Sequence, residues 1–337
     1  MSSITVSDIK ISSVKIELPE KYATAKKLLP SVPHNNIKFI LHKVYVELAN
    51  AIRRTAVDEK CCIALSFDPQ SMITDTENFK HVIPEQIVSR IGLLPLDQAL
   101  FDQHIDTPDN LALKQLPHFE LDIYNKSAND YAMITSKDIR YKVVGSKSRS
   151  LPFPTNVNIV RLPPSCHVRV PDIEIVAGYG FEHPKFMPTV VQFSKLKYQG
   201  EGEGLVTDPY NFTTTNGDYE FLIGGANVNP QRYVYECIEE LLVRVQSAEE
   251  ELLKGIQQLH EHHFEFRLSG ETSSIGCLFS RYIYEADPTI ESVASYVPHP
   301  ANREVVLVIK AKDAINRLKA ASISIQRDLT TVGKYFK

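Results

Sequence analysis

The chain has 337 residues, 43% of them apolar, which is enough to bury a large core spread over two or three domains. Its net charge of −4 argues against gripping a nucleic-acid backbone as the main role, because such proteins carry a basic excess. No apolar run reaches about 18 residues, and the N-terminal Met-Ser-Ser-Ile-Thr-Val-Ser-Asp lacks the basic and apolar regions of a secretory signal, so no membrane association and an intracellular location are expected. Five cysteines at positions 61, 62, 166, 237 and 277, with no CxxC spacing, fit neither a disulfide framework nor a thiolate zinc site. Cys61 and Cys62 open the apolar run that ends at Phe67 and read as small core residues.

Taken in chain order, residues 4–18 alternate as in strands, with Val14, Ile16 and Leu18 on one side and Lys15 and Glu17 on the other, and a proline-broken stretch follows. Ile37 to Leu41 resumes as strand. A helix over about 44–58 places Val44, Leu48, Ala51 and Thr55 on one stripe. Its arginines, Arg53 and Arg54, lie off that stripe, and spacing alone makes them a solvated helix end near the negative pole of the helix dipole. From 61 to 188 short alternating strands separated by proline-rich turns suggest an inserted, mostly β module, with one helix from Pro84 stopped by Gly92.

Strand signals return at Val190–Tyr198 and Tyr219–Ile223. The clearest helix follows, capped by Asn229, with Pro230 in its first turn and Gly255 at its end. Its apolar residues Val234, Ile238, Leu241, Val245, Ala248 and Leu252 step by four and three, which makes a seam for a second helix. The last 80 or so residues repeat this grammar: a strand at His263–Leu268, a helix from about Ser274 to Glu285, a strand at Val305–Ile309, and a final helix from about Asp313. In that helix Ile315, Leu318, Ser322, Ile325, Leu329 and Val332 form another seam. Residues 269–281 echo Val44–Arg54, so the chain carries two diverged copies of one pairing element whose seamed helices pack on each other. The expected fold is α+β, a pseudo-dimer in one chain, divided as 1–60, an inserted 61–188, 189–258 and 259–337.

The sequence offers little catalytic chemistry. Gly200-Glu-Gly-Glu-Gly204 has neither the spacing nor the charge of a phosphate-cradling loop. His260, His262 and His263 sit where a helix is expected to give way to a strand, and neighbouring strand residues point to opposite faces. Cys166 and His167 are adjacent, which directs their side chains apart. No GxSxG elbow, HExxH motif or tight aspartate cluster for magnesium occurs, so the expectation is a non-enzyme without cofactor or metal.

Val44–Arg54 resembles the signature helix of the alpha-type assembly proteins of RNA polymerases: bacterial alpha, the archaeal D-type protein and the third-largest subunit of eukaryotic RNA polymerase II. That helix reads Asn-x-Leu-Arg-Arg, matched by Asn50, Ala51, Ile52, Arg53 and Arg54. Three further blocks follow in order. Arg90–Leu96 is similar to the family's Arg-Leu-Gly-Leu-Ile-Pro-Leu, Ile134–Ile139 to its Ser-Lys-Asp-Leu strand entry, and Gly178–Pro188 to its Gly-x-Gly-x-x-His-Ala-Lys-Trp segment. The C-terminal part resembles the small partner of that protein, the archaeal L-type, through Ser274, Ile275, Gly276, Cys277 and Leu278, followed by Tyr296, His299 and Pro300.

The resemblance implies a fusion of the two assembly proteins, as in a large-DNA-virus polymerase of reduced subunit set, located in cytoplasm, nucleus or virion. It implies that Asn50, Arg53, Arg54, Arg90, Gly92, His183 and Lys185 contact partner subunits. The partners would be the second-largest and largest polymerase subunits, joined by small polymerase subunits, without direct DNA binding. Internal pairing would use Leu48, Ile238, Leu241, Val245, Leu252, Gly276, Leu278, Ile315, Leu318, Ile325 and Leu329. The chain departs from the family in having no cysteine between Cys62 and Cys166, which removes the zinc or iron-sulfur cluster of some relatives, and in placing Cys277 where the pattern has Asn. The bacterial C-terminal DNA-binding domain is not expected. A stand-alone scaffold or regulatory protein reusing this fold would share every pattern, while a free enzyme would need titratable groups converging near His260–His263 or Cys166-His167.

Overall fold

The computed structural model describes residues 4–13, 34–74, 83–97, 108–109, 111–142, 151–154, 156–196, 216–287, 289–299 and 301–337. Val14, Ile16, Leu18, the Gly200–Gly204 loop and Pro300 lie outside the described residues. The fold is α+β, and every strand pairing among the described residues is antiparallel.

The chain begins with β1 (Thr5–Ser13) and β2 (His34–Val44), then α1 (Val46–Arg54), which runs on into a π-helical turn at Thr55–Glu59. The expected helix over 44–58 is thus split: Val44 belongs to the strand, and the last turn is wound one residue wider. β3 (Cys61–Ser66) opens the inserted module, which holds β4 (Ile73–Thr74), α2 (Pro84–Gly92), β5 (Phe119–Tyr124), β6 (Ala132–Thr135), β7 (Ile139–Tyr141), β8 (Asn158–Leu162) and the long β9 (His167–Tyr179). β10 (Thr189–Lys195) and β11 (Gly217–Ala226) return to the first sheet, whose order is β1-β2-β11-β10. α3 (Pro230–Lys254) follows, its first turn fixed by the Asn229 side chain accepting the Arg232 backbone N–H.

The C-terminal part contains β12 (Ile256–His260), β13 (His263–Ser269), α4 (Ser273–Ala286), β14 (Ser292–Tyr296), β15 (Glu304–Lys310) and α5 (Ala314–Gly333). Its sheet runs β12-β13-β15-β14. Along the chain, this is the succession of the first sheet without the insertion: two strands, a helix, two strands, a helix. The correspondence extends to lengths. The nine residues of α1 with the five of the π turn equal the 14 of α4. The connection from Ala226 to Pro230 is as long as that from Lys310 to Ala314.

Two hydrophobic cores result among the described residues. The first unites both four-stranded sheets with α1, α3, α4 and α5, from Phe39 and Phe221 to Phe266 and Phe279. The second lies inside the inserted module around Phe119, Leu121, Ile159 and Val168. β3 belongs to both: Cys62 and Ala64 enter the first core and Ile63 and Leu65 the second, because a strand points alternate residues to opposite faces. An unbroken apolar run is what such a doubly buried strand requires, and Cys62 is the core residue its place in that run suggests. Among the described residues no helix is long and apolar enough to cross a membrane.

Candidate functional site

The resemblance-derived residues fall into separate places. Asn50 and Arg53 lie one turn apart on α1, where the Arg53 Nε donates to Asn50 Oδ1 at 3.0 Å. The Arg53 guanidinium stands 5.7 Å from the Phe193 ring of β10. Both side chains are half-buried and keep one side open. Gly92 lies against Lys185, and His183 stands two residues before that lysine. A side chain at Gly92 would come within 3.1 Å of the Leu65 carbonyl and 3.2 Å of the Lys185 Cδ, so the absent Cβ lets this lysine lie flat on α2. Lys185 donates to Ser66 Oγ at 3.1 Å, and burial lowers its pKa. The ring of His183 accepts the Lys185 backbone N–H, which closes a short turn. β10 starts directly after this segment and passes under Arg53, so it joins the two groups. Val190, 74% exposed, marks its outer side. Arg90 is tied down separately, donating to the Ile159 carbonyl at 2.5 Å.

Arg54 leaves that surface. It turns into the junction between the two parts of the first core, where its Nε lies 3.1 Å from Glu59 Oε1 and its Nη1 donates to Ser273 Oγ at 3.2 Å. The π turn puts Glu59 there. Its side chain is 1% exposed and also meets Arg244 Nη1 at 2.9 Å. Thr272 and Ser274 donate their hydroxyls to Glu59 Oε1 at 2.8 and 3.0 Å. Arg244 in turn forms a bidentate pair with Glu271, Nε to Oε1 at 3.0 Å and Nη2 to Oε2 at 2.5 Å. Burial opposes the charge of Glu59, yet Arg244, Arg54 and Thr272 together hold its carboxyl below the usual range. Asp58, next to it, is pushed the other way by burial and by Glu59 itself.

Sequence reading missed this cluster. Glu59, Arg244 and Glu271 are far apart in the chain and obey no periodicity. The one signal was a charged residue beside a seam position, Arg244 before Val245.

The helices that meet at the junction run antiparallel in two pairs. In the α1–α4 pair Arg54 touches Ser273 at one end, and Arg281 lies 3.8 Å from Glu47 and 4.9 Å over the Tyr45 ring at the other. In the α3–α5 pair Gln231 reaches the Phe336 carbonyl and Gln246 the Gln326 side chain. Leu48, Ile238, Leu241, Val245, Leu252, Leu278, Leu318, Ile325 and Leu329 are all buried in this core. Ile315 departs from expectation at 39% exposure. Ala314 takes the inward place, so the seam of α5 starts one residue earlier. Gly276 serves its own sheet: a Cβ there would sit 2.4 Å from Val305 Cγ1 and 3.0 Å from the Ser295 Cβ.

The histidine segment also differs from expectation. His260 and His263 face each other across a β12–β13 hairpin turn in which His262 adopts φ 62°, because α3 ends at Gly255 and a strand intervenes. Cys166 is buried, and His167 Nε2 instead meets Asp122 Oδ1 at 2.6 Å across the β5–β9 ladder. Among the described residues no three of His, Cys, Asp or Glu converge as metal ligands would.

No protein-family model matches this chain, and no curated protein matches it.

Proposed function

We propose that this chain is a non-catalytic assembly subunit of a multisubunit DNA-directed RNA polymerase, in which two alpha-type halves are fused, pair internally and dock the second-largest subunit. One observation carries the reading: the strand-strand-helix, strand-strand-helix succession occurs twice, interrupted in the first copy alone, and the two copies share one core through antiparallel helix pairs. An internal two-fold relation between the halves accounts for both pairs at once, since each helix crosses its own counterpart. The resemblance of Asn50–Arg54 and Ser274–Leu278 to the paired assembly proteins supplies the identity of the halves.

The docking surface in this reading is centred on Asn50 and Arg53 and continues past β10 to Gly92, His183 and Lys185. Arg53 presents a planar fork held by Asn50, suited to a carboxylate or backbone carbonyl of a partner. Arg54 is assigned to the internal junction instead. Affinity capture of the tagged chain from its native source, read by mass spectrometry, tests the proposal: the two largest polymerase subunits are expected, and their absence would defeat it.

A further inference from the structure

We infer that a charge code at the junction restricts pairing to one first half with one second half, and that Glu59, Arg244 and Glu271 write it. This inference rests on reading the chain as two related halves. Laid element on element, Val46–Glu59 corresponds to Ser273–Ala286 and Pro230 to Ala314. In that register Thr55 matches Tyr282, Glu59 matches Ala286 and Arg244 matches Asp328. The contacts obey it: Arg244 Nη1 donates to Thr55 Oγ1 at 3.4 Å, and Tyr282 donates its hydroxyl to Asp328 Oδ2 at 2.9 Å. The matched Lys43 and Gly270, just before each helix, both have positive φ, 59° and 79°.

The two ends of the helix crossing are therefore counterparts with different chemistry. At one end Glu59 and Arg244 fill the space between α1, α3 and the start of α4, answered by Glu271, Thr272 and Ser274. At the other end the corresponding positions are Ala286 and Asp328, which line a space together with Tyr45. There a cavity of about 360 Å³ lies among Tyr45, Tyr282, Glu285, Ala286 and Asp328. Ala286 and Asp328, smaller than the Glu59 and Arg244 they correspond to, leave room where the other end is filled by an ion pair.

Like-with-like pairing would place these groups badly. Two first halves would set each Glu59 against Tyr45 and Glu47 in place of Thr272 and Ser274, removing two hydroxyl donors and adding a like charge. Arg244 would meet Val44 in place of Glu271. Two second halves would bring Asp328 against Glu271. In a water-excluded junction unpaired and like charges discriminate strongly between partners. The first half thus fits a second half of this sequence, within the chain or exchanged with another copy.

The test uses the full chain with a protease site inserted between Lys254 and Gly255, where α3 ends and before β12 of the second half begins, folded, then cleaved and assessed by native mass spectrometry. The wild-type halves are expected to remain as a heterotypic pair. Glu271→Arg should lower that pair at least tenfold and produce pairs of two second halves, in which Arg replaces Glu271 opposite Asp328. Heterotypic pairing unchanged in Glu271→Arg, with no pair of second halves, overturns the code. If circular dichroism of the uncut Glu271→Arg chain indicates misfolding, Glu271→Gln replaces it; a weaker heterotypic pair is then expected, and wild-type pairing overturns the code. Wild-type halves that separate, or that mix at random, count against the internal pairing itself.

Discussion

Glu59 and Arg244 meet at 2.9 Å where α1 and α3 approach the start of α4, with the Glu59 side chain 1% exposed and the Arg244 side chain 11% exposed. The pair is completed by Arg54 and Glu271 and by two hydroxyls at the start of α4, so every charge in it has a partner. A buried ion pair contributes modestly compared with apolar packing, but breaking it leaves an uncompensated charge. Arg244→Met is therefore expected to cost about 3–5 kcal/mol, read as a lower urea midpoint at unchanged slope.

The same network sets an acid limit. The folded-state pKa of Glu59 is depressed below its ordinary value of 4.5, so the stability it contributes is present above that value and lost as pH falls through the lower folded one. Asp58 has the opposite sign. Its raised pKa means that its charged form costs stability at neutral pH, and the cost is relieved as pH falls through the raised value. Asp58→Asn is expected to raise the melting temperature at pH 7, and Glu59→Gln to lower it while flattening its fall below pH 4.5. Melting curves from pH 3 to 8, about the span over which carboxylates titrate, check both.

Gly276 has no room for a side chain against Val305. Gly276→Ala is expected to cost about 1–3 kcal/mol through overpacking, with helix propensity offsetting part of that loss. Thermal denaturation measures it.

Much of the architecture could be read from the sequence. The seam of α3, with its Asn229 cap, Pro230 and Gly255, was specified by local chemistry. The pairing face of α5 was off by one residue at its start because Ile315 is the larger apolar side chain, whereas Ala314 is the residue buried there. Strands β12 and β14 were missed: Ile256–His260 is exposed and polar along most of its length, and its place in the sheet comes from pairing with β13. The Arg54 position was read as surface because its binding groups, Glu59 and Ser273, come from a π turn and from the other half of the chain. Neither leaves a periodic trace in the sequence.

Arg53 separates docking from folding. It makes one side-chain hydrogen bond within its own helix and one ring contact, so Arg53→Ala is expected to change stability by less than about 0.5 kcal/mol. Arg54→Ala removes a partner of Glu59 and is expected to destabilise the chain. Comparing the two variants by denaturation and by partner capture distinguishes a surface role from a junction role.

The most direct measurement is affinity capture of the wild-type and Arg53→Ala chains from the native source, with the co-purified proteins quantified by mass spectrometry. The two largest RNA polymerase subunits are expected with the wild type, and at least a tenfold loss of the second-largest with a folded Arg53→Ala chain. Recovery of the wild-type chain without polymerase subunits would refute the assembly role.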